Sequence, residues 1–123
     1  MYKVLIVDDD PAIREATKIS IEIVAGWKTL LAASGQEGLF IAQEKQPDAI
    51  LLDVMMPEMD GLMTLQCLQA NPVTQPIPVI LFTSLTQNTE HKKFSQLPIS
   101  GVILKPFDAI DLVGQMRTLL NWH

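Results

Sequence analysis

Short apolar runs alternate with longer stretches of helical period along the chain. Val4-Leu5-Ile6-Val7 is an uninterrupted apolar run of strand length, and Trp27 to Ala33, Ala49-Ile50-Leu51-Leu52, Val79 to Phe82 and Val102-Ile103-Leu104 are four more. Strands spaced by helical segments predict an α/β fold with a parallel sheet. After the first run, Ile13, Ala16, Ile19 and Ile23 recur at three- and four-residue spacing with Arg14, Lys18 and Glu22 interleaved. That period predicts an amphipathic helix with those four residues on its apolar face.

The polar residues mark the boundaries. Asp10 can cap the first helix with Pro11 in its first turn, and Gly26 ends it. Ser34-Gly35-Gln36-Glu37 reads as a capping box opening a helix to about Lys45, which Pro47 stops. Val54 to Gly61, with Pro57 and Asp60-Gly61, is a turn-rich loop; Leu62 to Ala70 is a short helix closed by Asn71-Pro72. A weaker helix is expected over Gln87 to Gln96, where apolar positions are few and His91, Lys92 and Lys93 intervene. Asp108 caps a last helix with Leu112, Val113, Met116, Leu119 and Leu120 inward. The whole reads as a five-stranded parallel sheet of order 2-1-3-4-5 flanked by five helices. Residues 1–123 are expected to form one domain without repeat or linker, and no output domain is expected within them.

Composition narrows the function. At 123 residues with 48% hydrophobic and 19% charged positions, the chain is globular rather than disordered. Nine basic against fourteen acidic residues leave a net charge of −5, which argues against direct binding to nucleic acid. One cysteine and two histidines exclude an internal disulfide and a four-ligand zinc site, and Cys67 is expected to be a small buried hydrophobe. Leu62 to Thr89 carries no charge, but Pro72, Pro76 and Pro78 interrupt it, so no membrane span is expected. A cytoplasmic protein is the expectation.

An open parallel sheet binds ligands beyond the carboxyl ends of its strands, where the strand order reverses. Asp8 and Asp9 follow the first strand, Asp53 the third, Thr83 and Ser84 the fourth and Lys105 the fifth. In the order 2-1-3-4-5 the first and third strands are neighbours, so the three carboxylates should converge. Repulsion among them calls for a raised pKa, a cation or a metal, and an all-oxygen set suits Mg²⁺. Lys105 adds positive charge and Thr83 a hydroxyl, a pocket suited to a phosphoryl group. With an ordinary carboxyl pKa of about 3.9, Asp53 would be an ionised nucleophile at neutral pH without a general base.

Four elements in order, VLIVDDDP at Val4 to Pro11, LLDVMMPEMDG at Leu51 to Gly61, Thr83, and Lys105-Pro106-Phe107, resemble a response-regulator receiver domain. Their spacing fits as well, with 44 residues from Asp9 to Asp53, 30 on to Thr83 and 22 more to Lys105. The resemblance covers the whole chain. It implies that Asp53 accepts a phosphoryl group and that Asp8, Asp9, Asp53 and the Met55 carbonyl hold Mg²⁺. It further implies that Thr83 and Lys105 contact the phosphoryl group and that the Lys105-Pro106 peptide is cis. The donor would be a sensor histidine kinase or a phosphotransfer protein. The output would be a protein-interaction face running roughly from Gln87 to Leu120, built from the fourth helix, fifth strand and fifth helix. Its partner would be an unidentified downstream protein or a second copy of the chain. Such a domain assists its own phosphoryl transfer and dephosphorylation but is a signalling module rather than a turnover enzyme.

One position departs from the family's pattern, and two others bear on the lifetime of the phosphoryl group. Three residues before Lys105, where the family usually carries an aromatic switch residue, stands Val102; activation would then rest on strand and helix displacement around Thr83. Met55 and Leu85, which flank the phosphoryl group in the family, are both apolar, implying restricted water access and a long-lived phosphoryl state. The alternative is a degenerate receiver that binds proteins independently of phosphorylation. A haloacid-dehalogenase-type phosphatase would need a second Asp at position 55, which is Met, and a nucleotide binder would need a glycine-rich phosphate loop that is missing.

Overall fold

A computed structural model describes residues 1–84, 94 and 96–122. In chain order these contain β1 (Lys3–Val7), α1 (Pro11–Ala25), β2 (Lys28–Ala32), α2 (Gly35–Lys45), β3 (Ala49–Asp53), α3 (Gly61–Ala70), β4 (Val79–Ser84), β5 (Gly101–Lys105) and α4 (Ala109–Leu120). The strands form one parallel sheet, as the alternation of segments implied, and their order is the expected β2-β1-β3-β4-β5. Four helices are described where five were expected. The helix expected over Gln87 to Gln96, with His91, Lys92 and Lys93, lies outside the described residues except for Phe94 and Gln96, as does Leu85.

Alternation along each strand divides the core. Leu5, Val7, Ile50, Leu52, Val79 and Leu81 pack with α2 and α3 on one face. On the other, Val4, Ile6, Leu51, Ile80, Phe82 and Ile103 pack with α1 and α4. Every residue of β3 is buried, as a central strand covered on both faces requires. Among the described residues no helix is long and apolar enough to cross a membrane.

The caps sit where the polar residues indicated. Asp10 accepts from the Ala12 and Ile13 amides at 2.9 and 3.3 Å, and Asp108 accepts from Ile110 and Asp111 at 2.9 and 3.3 Å. Ser34 accepts from the Glu37 amide at 3.1 Å, while Glu37 reaches back to the Ala33 amide at 2.9 Å, one residue before the usual partner in a capping box. Asp60, read as part of a turn, caps α3 through the Met63 amide at 2.9 Å. Gly26 closes α1 with a left-handed φ of 72°.

Two expectations about faces are corrected. α1 buries Thr17 and Ile21, with Ile13 and Ala25 half-buried against the same core, whereas Ile19 is 46% and Ile23 78% exposed and Ala16 is exposed too. The inward stripe is thus rotated from the Ile13-Ala16-Ile19-Ile23 pattern. Thr17 can be buried because its hydroxyl donates to the Ile13 carbonyl at 2.7 Å. Cys67 is exposed rather than buried, because α3 turns Thr64, Leu65 and Leu68 toward the core.

Candidate functional site

The site grows from the carboxyl ends of β1, β3 and β5. Asp8 extends the β1–β2 ladder through its amide to the Ala32 carbonyl at 3.1 Å, and this pins its buried side chain beside the end of β3. One Asp8 oxygen accepts from the Asp10 amide at 2.9 Å, and the Arg14 guanidinium donates to the Asp8 carbonyl at 2.8 Å. Asp53 ends β3 at 5% exposure, and its Oδ1 accepts from the Met55 amide at 3.4 Å. Gly61 secures the loop that follows: a Cβ there would run into the Asp53 carbonyl oxygen and the Val54 Cα, so only glycine lets the chain pass this close.

The expected convergence is present. Carboxylate oxygens of Asp8, Asp9 and Asp53 all lie within 4.8 Å of one another. Lys105 Nζ donates to Asp8 Oδ2 and to Asp53 Oδ1, both at 3.1 Å. Asp9 is exposed at the rim. Asp8, Asp9, Asp10, Ile13, Asp53, Met55, Ser84 and Lys105 line a cavity of about 240 Å³. Thr83 is buried in β4 one residue before Ser84, and the Met55 side chain points outward at 65% exposure. The Lys105-Pro106 peptide is cis, as the resemblance implied.

Electrostatics sharpen one expectation and correct another. Burial and then the neighbouring Asp8 charge push Asp53 up to about 6, against the pull of Lys105 and the Met55 amide. Its pKa is therefore not the ordinary carboxyl value, although at pH 7 about nine-tenths of Asp53 is still ionised. Burial alone would lower the Lys105 pKa; the Asp53 and Asp8 charges outweigh it and raise that pKa, so the ammonium stays charged. Three acids against one ammonium leave net negative charge among hard oxygen donors. That donor set fits a small divalent cation such as Mg²⁺.

The sequence pattern passed over Phe82. It lies beside Asp53 in the β3–β4 register, shares its sheet face with Ser84, and carries Lys105 Nζ over its ring at 5.1 Å from the centroid. Period-two alternation along β4 is the signal that places it beneath the site.

A family model described as the response regulator receiver domain matches residues 4–117. RpaA of Synechocystis, named as a DNA-binding dual master transcriptional regulator, is 36% identical over 121 residues, covering 98% of this chain and 50% of its own length. The response regulator MprA of Mycolicibacterium vanbaalenii is 34% identical over 119 residues, covering 97% and 50% respectively. The chain thus spans about half the length of these curated relatives. Among solved structures, the chemotaxis protein CheY4 of Vibrio cholerae is similar at a TM-score of 0.88 and 28% identity, over 97% of this chain and 98% of that one.

Proposed function

The chain belongs to the response regulator receiver domain family, the receivers of two-component signalling, and on that premise we propose that it takes a phosphoryl group onto Asp53 from a histidine kinase or phosphotransfer protein in the cytoplasm. The observation that carries this reading is the Lys105 ammonium held 3.1 Å from both Asp8 and Asp53 inside the three-carboxylate cluster. A pocket with one fixed cation and an ionised carboxylate can neutralise an incoming phosphoryl group while presenting a nucleophile to it.

In the transfer, an Asp53 carboxylate oxygen forms the new bond to phosphorus as the donor's phosphorus–nitrogen bond breaks. The electron pair returns to the imidazolium, which leaves as neutral imidazole. Asp8, Asp9, Asp53 and the Met55 carbonyl would hold Mg²⁺, which when bound supplies positive charge against the phosphoryl oxygens. Lys105 faces the same charge from the β5 side, and the Thr83 hydroxyl would donate to a phosphoryl oxygen. Loading then shifts β4 and β5 around Thr83 and alters the face that includes β5 and α4, where a downstream protein or a second copy of the chain binds. The apolar Met55 side chain at the rim would slow hydrolysis of the acyl phosphate.

Incubation with acetyl phosphate and Mg²⁺, followed by intact mass, tests this. One phosphoryl group on the parent and none on Asp53→Asn is the expected result. A second reading, a receiver that binds its partner without phosphorylation, is favoured by Val102 at the usual aromatic switch position; an unmodified parent would support it.

A further inference from the structure

We propose that Phe82 is a positioning residue for the transfer, its ring face holding the Lys105 ammonium between Asp8 and Asp53. The inference rests on the phosphoacceptor reading and adds a residue to it.

Lys105 borders two spaces. One is the acidic cavity; the other is a larger apolar groove of about 640 Å³ bounded by Ala12, Ile13 and Ala16 of α1 and by Phe107 and Ala109. A lysine has a four-carbon stem with freely rotating bonds, and nothing in that stem chooses between the two. The Asp8 and Asp53 carboxylates draw the ammonium to the acidic side, and the Phe82 ring adds a fixed support beneath it there. Phe82 is 1% exposed and packs against Phe107 with centroids 5.5 Å apart, so its face cannot turn away when the ammonium moves. The ammonium lies 5.1 Å from the ring centroid, within the range where the electron-rich face attracts a cation.

A ring is also suited to this place in a way that a further acid is not. Three carboxylates already repel an incoming phosphoryl group, and a fourth would add to that repulsion. The ring attracts the cation with no formal charge. It therefore leaves the ammonium available to the phosphoryl oxygens while helping to keep it out of the groove.

The test replaces Phe82 with mono-, di- and trifluorophenylalanine, which keep the ring's shape but progressively drain its face, and separately with leucine as Phe82→Leu. Phosphorylation by acetyl phosphate at fixed Mg²⁺, followed by intact mass against time, should slow stepwise across the series, by about fivefold at the trifluoro ring. In the same proteins, the Lys105 ε-methylene protons should be shifted upfield by the ring in the parent and move to their ordinary position in Phe82→Leu. A rate that is flat across the fluorine series overturns this inference alone and leaves Asp53 as the acceptor. A parent that takes up no phosphoryl group overturns the acceptor reading and the role of Phe82 with it. Lys105 protons at their ordinary shift in the parent overturn the placement whatever the rates.

Discussion

At the amino end of the sheet Tyr2 stacks on Trp122 with centroids 3.8 Å apart, Trp27 meets both rings edge-on at 5.8 and 4.9 Å, and Arg117 lies over Trp27 at 5.5 Å. At the carboxyl end three carboxylates cluster, two of them sharing one ammonium, and the Asp53 pKa is pushed up to about 6 by burial and by its neighbour's charge. Each contact at the first end supports the others, joining the residues just before β1 and just before β2 to the second residue after α4. The second end keeps like charges together that would relax if any one were removed. The fold thus gathers its favourable packing far from the place where it holds an unfavourable arrangement ready for chemistry.

Substitution at the two ends should therefore change stability in opposite directions. Trp27→Ala removes a ring that is 6% exposed and touches Tyr2, Trp122 and Arg117. A loss of about 3–5 kcal/mol is expected for such a truncation, read by urea unfolding followed by circular dichroism. A loss under about 1 kcal/mol would mean that the aromatic cluster is decoration and would break the comparison.

Asp53→Asn should stabilise the metal-free protein at pH 7. The folded pKa of about 6 lies above the unfolded value of 3.8, so this group favours folding fully below about pH 4 and loses that contribution as pH rises to about 6. Screening by water at the cavity mouth reduces the full effect of the shift, leaving about 1–2 kcal/mol in favour of Asn at neutral pH. The gap between the two proteins should close on titration to pH 4. A gap of constant size across that range would assign the gain to something other than the charge.

Mg²⁺ should relieve the same repulsion in the parent. At ten times its dissociation constant a ligand bound only by the folded state adds about 1.4 kcal/mol. The unfolding midpoint of the parent is expected to rise with Mg²⁺ and that of Asp53→Asn to rise much less. Equal shifts in both would place the ion elsewhere and would separate the acidic cluster from the function proposed for it.

Much of this was readable in advance because the two parts of the problem leave different traces. Strand runs such as Ala49-Ile50-Leu51-Leu52 and caps such as Asp10 and Asp108 act locally, so residue type and order reveal them. The site was readable because parallel topology brings strand ends together, and Asp8, Asp53 and Lys105 stand at those ends. What escaped depends on rotation and depth. α1 carries two candidate stripes, and the one with more isoleucine is the exposed one, because Thr17 satisfies its own hydroxyl and can be buried. The pKa of Asp53 follows from burial that no residue name reports. Phe82 looked like one more strand residue until the register set it beside Asp53.

The smallest effect is expected where the burial expectation failed. Cys67 was read as a core residue because free cysteine is among the most buried types and nothing basic lies near it in sequence. In the structure α3 sends Leu65 and Leu68 inward and leaves the thiol on the outer surface. Cys67→Ser should then change stability by no more than about 0.5 kcal/mol, since a surface substitution opens no cavity and strands no polar group. The native thiol should also react with an aromatic disulfide reagent at nearly the rate of the urea-unfolded chain. A thiol protected until unfolding, together with a loss above about 1 kcal/mol on substitution, would return Cys67 to the core and require α3 to be rotated about its axis. That rotation would move Gly61 and Asp60 at the head of the helix, and with them the loop that lets the chain pass Asp53.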